Sequence, residues 1–241
     1  MSSLKKYTSV ILFVLLCLEM QAQDTGIASF LLNNKSNNLQ GKMIGHIYNL
    51  SSDANTFFLY PAEWVEGEIT FTNGDTHKDL KLRYQAYDDE LLAYNENGRF
   101  IFMVEKELVN NFSFVDGSKT RKFVRLNKSN NRQTDIYLEE LYKGEVSLLV
   151  NWYIYEQSVS PYIDRNGIKR AIDYQMHKDY YFLKENNGLQ KIKLNRKALF
   201  IQFPEHKKAI KRLLRKQNLI IRNEQAMAMA LSLIKENGLM E

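Results

Sequence analysis

The sequence predicts an α+β protein, mainly β: an antiparallel, hairpin-rich sandwich, roll or partial barrel followed by two or three C-terminal helices. Three observations carry this. Five turn dipeptides punctuate the middle of the chain, the residues between them alternate apolar and polar, and past Leu194 the hydrophobic period changes from two to about 3.6. The 241 residues include 14 Tyr and 13 Phe and are 44% hydrophobic, enough to bury a sizeable core. Only 11 Gly and 3 Pro exclude collagen-like and Pro-rich architectures.

In chain order, residues 1–22 read as a signal peptide. Lys5 and Lys6 form a basic start, Val10 to Leu18 is apolar, and Met20-Gln21-Ala22 ends on a small residue, which predicts cleavage after Ala22. A helical run of this size reaches only about 17 Å, short of the roughly 30 Å hydrocarbon core of a bilayer. No transmembrane helix is expected in the mature chain. The single cysteine, Cys17, lies inside this stretch. Bulky Leu15-Leu16 before it argues against lipidation there, so the mature chain has no thiol for a disulfide, a nucleophile or a metal site.

Residues 23–55 form an N-terminal segment that is partly loop. Ala28 to Leu32 suits a strand or a helical turn, and Asn33 to Gln40 is polar enough for a loop. Gly41-Lys42-Met43-Ile44-Gly45 holds a Gly-Lys pair but lacks the spacing, and the following Ser or Thr, of a phosphate loop.

An antiparallel β domain over residues 56–194 follows from Asn73-Gly74, Asn97-Gly98, Asp116-Gly117, Asn166-Gly167 and Asn187-Gly188, each of which suits a tight hairpin turn. Around the first, Ile69 and Phe71 alternate with Thr70 and Thr72, and Leu80, Leu82 and Tyr84 alternate with Lys81 and Arg83. That pattern gives a hairpin with one buried face. Val146 to Tyr155, apolar at nearly every position and including Trp152, predicts a central strand covered on both faces; Tyr180 to Leu183 is similar.

Residues 195–241 form a helical segment packed on the β domain. Asn195 is placed to cap a first helix running through Phe200, Pro204 to open a second and Asn223 to cap a third that Gly238 closes. On the second, Lys207, Lys208, Lys211, Arg212, Arg215 and Lys216 fall in one half of the helical wheel, and Phe203, Ala209, Ile210, Leu213 and Leu214 in the other. On the third, Ala226, Met227, Ala230, Leu231, Leu233 and Ile234 make a wide apolar face for packing on the β core or the preceding helix.

The charge is lopsided. Residues 191–241 hold 12 Lys and Arg against 4 Glu, a net of +8, whereas residues 24–190 hold 19 basic and 23 acidic residues, a net of −4. A half-helix of six cations suits an anionic membrane surface, a polyanionic glycan, nucleic acid or the acidic body of the same protein, or else is a solvated face that keeps the helix soluble. Three of the six reaching anionic lipid together would gain about 3 kcal/mol, roughly a hundredfold in partitioning. Export and the lack of a reader motif argue against nucleic acid.

Catalytic patterns are sparse. His46, His77, His177 and His206 are isolated, without zinc-ligand spacing, and there is no G-x-S-x-G elbow. Asp88-Asp89-Glu90 would offer paired carboxylates, but neighbours in extended chain face opposite ways, so a polar turn is expected. Asp164-Arg165-Asn166-Gly167 lacks the later ligands of a calcium loop and is also read as a turn. The exposed tyrosines suit a carbohydrate or peptide groove, though strand tyrosines commonly pack. No cofactor is implied.

The motifs Tyr60-Pro61, Trp64, Gly67, Phe71, Gly74, Leu82 and Tyr84, then Tyr137, Leu141, Gly144, Leu148, Tyr180-Tyr181 and Phe203-Pro204-Glu205, resemble a group of uncharacterised small secreted β-rich envelope proteins of Bacteroidetes-type bacteria. The resemblance spans roughly residues 56–240, with Gln85 standing where such proteins often have Asn. It implies an envelope location and a β-rich body. It implies no activity; the expected export and the lack of a catalytic constellation give the function expected, that of an exported, non-enzymatic envelope protein with a binding or structural role, periplasmic, envelope-associated or secreted. Its partner would be an envelope protein, a glycan or an anionic membrane surface, met by the basic helix. The alternative is a periplasmic hydrolase whose carboxylates and histidines converge only in the fold, marked by His77 or His177 beside a buried carboxylate.

Overall fold

The computed structural model describes residues 27–32, 41–48, 59–96, 99–126, 135–165, 167, 169–184 and 188–240. The expected signal peptide with Cys17, the Asn33–Gln40 loop, Asn97-Gly98, Asn166 and Asn187 lie outside them. The described strands are β1 (Ile27–Leu32), β2 (Gly41–Tyr48), β3 (Leu59–Phe71), β4 (Thr76–Gln85), β5 (Glu90–Asn95), β6 (Phe100–Val104), β7 (Val109–Asp116), β8 (Lys119–Leu126), β9 (Ile136–Tyr142), β10 (Val146–Ile163), β11 (Lys169–Lys184) and β12 (Gly188–Ile192). All twelve belong to one antiparallel sheet in the order β1-β2-β6-β5-β4-β3-β7-β8-β9-β10-β11-β12. The fold is α+β and mainly β, with three C-terminal helices, α1 (Arg196–Gln202), α2 (Lys207–Lys216) and α3 (Glu224–Glu236).

Each of the five turn dipeptides falls between two strands that pair antiparallel. At the first of them Gly74 has φ +93°, a left-handed conformation that a side chain would strain. Gly41 to Gly45 lies within β2, which pairs with β6, so the glycine-lysine run is a strand.

The sheet is not flat. Strands β6 and β7 run in the same direction four places apart, about 19 Å in a flat sheet, yet residues 105–108 alone join them. Fully stretched, that link reaches about 17 Å, and it is shortened by a 3-10 turn at Lys106–Leu108. The sheet must therefore curl until β6 runs on around a corner into β7. Ring contacts agree. Tyr84 on β4 lies 5.0 Å from Phe123 on β8 and 6.4 Å from Tyr137 on β9, and Phe112 stacks on Phe123 at 4.8 Å. These rings, with Ile69, Leu82, Leu91 and Phe102, form a core enclosed by the curled sheet.

The same face of β10 then passes from this core into a second one. Val150 and Trp152 belong to the first, whereas Val146 and Leu148 pack with Phe182 of β11 among Leu199, Phe203, Ile210, Leu214, Met227, Leu231 and Ile234 of the helical region. The three helices thus continue the core past the end of the roll, and the apolar face of α3 meets both the sheet and the preceding helices.

Three expectations need correction. The first is the length of the covered strand, since β10 is buried on both faces only over Val146–Val150, and Tyr155 is 51% exposed. Its neighbour β9 pairs no further than Val150, and β12 meets β11 only from Tyr180 onward. Beyond Asn151, β10 and β11 have no strand neighbour but each other among the described residues and form a two-stranded arm. The second is the β4 hairpin, buried on one face near its turn but on both faces at Arg83 and Gln85. There β3 bulges between Tyr60 and Val65. Arg83 donates to the carbonyls of Pro61 and Ala62 that the bulge leaves without ladder partners. The third is the start of α2, which begins at Lys207 with His206 as cap, not at Pro204. Bonds spanning three residues, from His206 N to Phe203 O and from Lys207 N to Pro204 O, make a turn ahead of the helix proper.

The other helix signals hold. The Asn195 carboxamide oxygen accepts from Lys197 N and Ala198 N, and that of Asn223 from Ala226 N. Gly238, at φ +64°, closes α3 with a bond from Leu239 N to Ile234 O. Among the described residues no helix is long and apolar enough to cross a membrane.

Candidate anion-binding groove

The six cations Lys207, Lys208, Lys211, Arg212, Arg215 and Lys216 are all exposed on α2, while Ile210 and Leu214 on its other side are buried. The helix carries no acidic residue, and no described carboxylate forms an ion pair with any of the six. The structure separates them into two stripes spaced by about one turn. Lys207, Lys211 and Arg215 form the stripe nearer α1, where Lys207 Nζ lies 5.9 Å from the Phe200 ring centre. Lys208, Arg212 and Lys216 form the other.

Lys211 and Arg215 line a cleft of about 660 Å³ between α1, α2 and the connection to α3. Arg196 and Arg222 complete a set of four cations, and no carboxylate is in the lining. Its apolar part is Phe200, Leu214, Leu219, Ile220 and Ile221. Local folding produces this. The helix ends at Lys216 with Gln217 as its cap, Asn218 takes a left-handed φ of +49°, and Leu219 N bonds back to Leu214 O. The chain then runs along the helix, with Ile221 buried and Ile220 left 66% exposed. Arg196 and Arg222, which flank the basic helix in sequence but lie outside it, were missed as site residues. Their signal was the cation count of residues 191–241, not the helical wheel.

A second cleft, of about 690 Å³, lies between β8, β9, Tyr180 of β11 and the first turn of α3. It is lined by Lys119, Arg121 and Arg222 together with Glu139, Glu140 and Glu224. Here each carboxylate has a cation partner, that of Glu140 being Lys122 at 3.4 Å. Glu139, 2% exposed, accepts from Arg121 Nη1 at 2.8 Å and from Trp152 Nε1 at 2.7 Å. Arg121 also meets Asp116 at 3.4 Å, and the Tyr60 hydroxyl donates to Asp116 at 2.7 Å. Lys178 lies over the Trp152 ring at 3.9 Å and donates to Glu224 at 2.8 Å, where Tyr180 donates at 2.9 Å. Burial pushes the Glu224 carboxyl up, but the donations from Lys178 and Tyr180 outweigh it and hold the group below the usual carboxylate range. This chain of alternating charge ties α3 to the sheet. Only the buried Nε of Arg121 lacks an acceptor in it.

A third polar cluster stands at the β4–β5 turn. Asp88 and Asp89 lie in the turn expected, with Asp89 at φ +58°, while Glu90 opens β5, and the role of Asp89 extends further. The Asp89 carboxylate accepts from the Tyr84 hydroxyl at 2.6 Å, from Lys106 at 3.0 Å and from Tyr137 N at 3.2 Å. It therefore joins the turn to the corner at residues 105–108 and to β9. Beside it, burial pushes Glu90 up to about 7, with Lys106 opposing the shift and Asp89 adding to it.

The histidines are not brought together. His77 meets the edge of Phe71 at 5.3 Å, and His177 sits between Tyr153 and Tyr155 on the arm, neither bonded to a carboxylate. His46 lies 3.5 Å from Glu105, with both side chains well exposed. Among the described residues no group of three His, Cys, Asp or Glu is placed to hold a metal ion. No known protein family, curated protein or solved structure matches the chain.

Proposed function

We propose that this is an exported, non-enzymatic binding protein of the cell envelope that meets an anionic lipid surface through α2. The observation that carries the reading is the six-cation face without a single described counter-charge, beside a cleft with four cations and an apolar floor. A face of this kind gains energy from a dense anionic surface and keeps it only at modest ionic strength. The signal-like start of the sequence and the resemblance to secreted envelope proteins support the location.

The hydrolase alternative gains no support from the histidines, which stand apart from both clefts, from Glu139, whose two oxygens are held by Arg121 and Trp152, or from Glu224, whose Oε1 is held by Lys178 and Tyr180. Sedimentation with vesicles of anionic lipid, against vesicles of neutral lipid, tests the proposal. The protein is expected to sediment with the anionic vesicles alone and to be released by salt, and a Lys208→Glu/Arg212→Glu/Lys216→Glu variant is expected to stay in solution. Equal sedimentation of that variant, or retention by a polyanionic glycan or an envelope protein in place of vesicles, would overturn it.

A further inference from the structure

We propose that the cleft between α1, α2 and residues 218–222 binds one molecule of a single-chain amphiphile with an anionic head. The acidic head would be held by Lys211, Arg215, Arg196 and Arg222, and the chain would lie on Phe200, Leu219 and Ile220. This deepens the reading of α2 as an anion-binding helix by naming the ligand.

The argument is one of complementarity. A volume of about 660 Å³ lies within the range of clefts that enclose small molecules. A small hydrophilic anion would satisfy the cations but leave Ile220 and the apolar floor in water. A neutral lipid would cover the floor but strip water from cations that have no described counter-charge, which is costly. A ligand with charge at one end and hydrocarbon at the other satisfies both, its chain covering the 66% exposed Ile220 together with the rest of the apolar lining. The two stripes of α2 then have different tasks. Lys208, Arg212 and Lys216 face the surrounding surface, whereas Lys211 and Arg215 face the cleft.

Calorimetric titration of the full chain with dodecyl phosphate and with dodecanoate, below their micelle concentrations, tests this. Saturable one-to-one binding is expected, weakening about fourfold for each methylene removed from the chain. Inorganic phosphate and dodecyl maltoside are expected not to bind. Lys211→Glu/Arg215→Glu, at exposed positions where folding is not at stake, is expected to weaken binding at least about tenfold, and Ile220→Ser to flatten the dependence on chain length. Lys208→Glu/Arg212→Glu/Lys216→Glu is expected to lose vesicle adhesion yet bind dodecyl phosphate normally. Equal binding of inorganic phosphate or of dodecyl maltoside would overturn the proposal. So would the absence of amphiphile binding in a protein that still sediments with anionic vesicles, a result that leaves the surface-binding role standing.

Discussion

Two clefts of nearly equal size lie on either side of Arg222, and they treat charge in opposite ways. In the cleft against the sheet the three carboxylates each have a cation, Arg121 for Glu139, Lys122 for Glu140 and Lys178 for Glu224, and the buried Glu139 has both oxygens occupied. In the cleft between α1 and α2, four cations face hydrocarbon. The first has carboxylates, and through Lys178 and Glu224 they help to hold α3 to the sheet, whereas the lining of the second has none. Size alone therefore does not mark a binding site. Uncompensated charge next to uncovered apolar surface is what the proposed ligand would gain from on both counts.

The largest test breaks the paired side. Arg121→Met leaves the Glu139 carboxylate buried without its cation and is expected to cost about 3–5 kcal/mol, read by urea denaturation. An unchanged midpoint would show that the pair contributes nothing to stability. Next comes a carboxylate with no cation of its own. Glu90 shares Lys106 with Asp89, lying 3.9 Å from it against 3.0 Å for Asp89. Because burial raises Glu90 to about 7 in the folded chain, from 4.5, its contribution is complete below pH 4.5 and is lost as pH rises through 7. Glu90→Gln is accordingly expected to stabilise the protein by up to about 3 kcal/mol at pH 8 and by nothing at pH 4. Thermal melts at the two pH values check the sign, and a larger gain in acid would refute it.

Smaller effects sharpen the contrast. Asn223→Ala removes the cap of α3 at the rim of the paired cleft, at a cost of about 1 kcal/mol in the same urea experiment. Lys211→Met, on the unpaired side, is expected to change stability by less than about 0.5 kcal/mol, since no described partner is lost. A loss as large as that of Arg121→Met would erase the distinction between the clefts.

Local features of this chain were legible because they depend on local chemistry. Asn73-Gly74 and Asp116-Gly117 announced their turns through the backbone freedom they supply, Asn195 and Asn223 their helices through capping, and the cations of α2 their exposure through periodicity. The curl of the sheet was not legible, since it depends on β7 returning to β3 and not to β6, a choice between strands of similar pattern. The role of Asp89 was hidden for the same reason, as Lys106 and Tyr137 reach it only once the corner has formed. The overestimate of β10 has a related cause. Tyr153, Ile154 and Tyr155 look like core residues, but whether a strand is covered depends on how far its neighbours extend, and β9 stops early. In the cleft, Arg196 and Arg222 escaped notice because they flank α2 instead of belonging to its wheel.

The corner between β6 and β7 has a consequence for how the molecule can be divided. Strand β3 takes one neighbour, β4, from before residues 105–108 and the other, β7, from after them. Severing the chain at that corner would leave each fragment with an open edge where its partner strand had been, and would split the aromatic cluster of Tyr84 and Phe123 between the two pieces. Sheet and helices should consequently melt in a single cooperative transition, and dissection at the corner should yield halves that recover native form only when mixed.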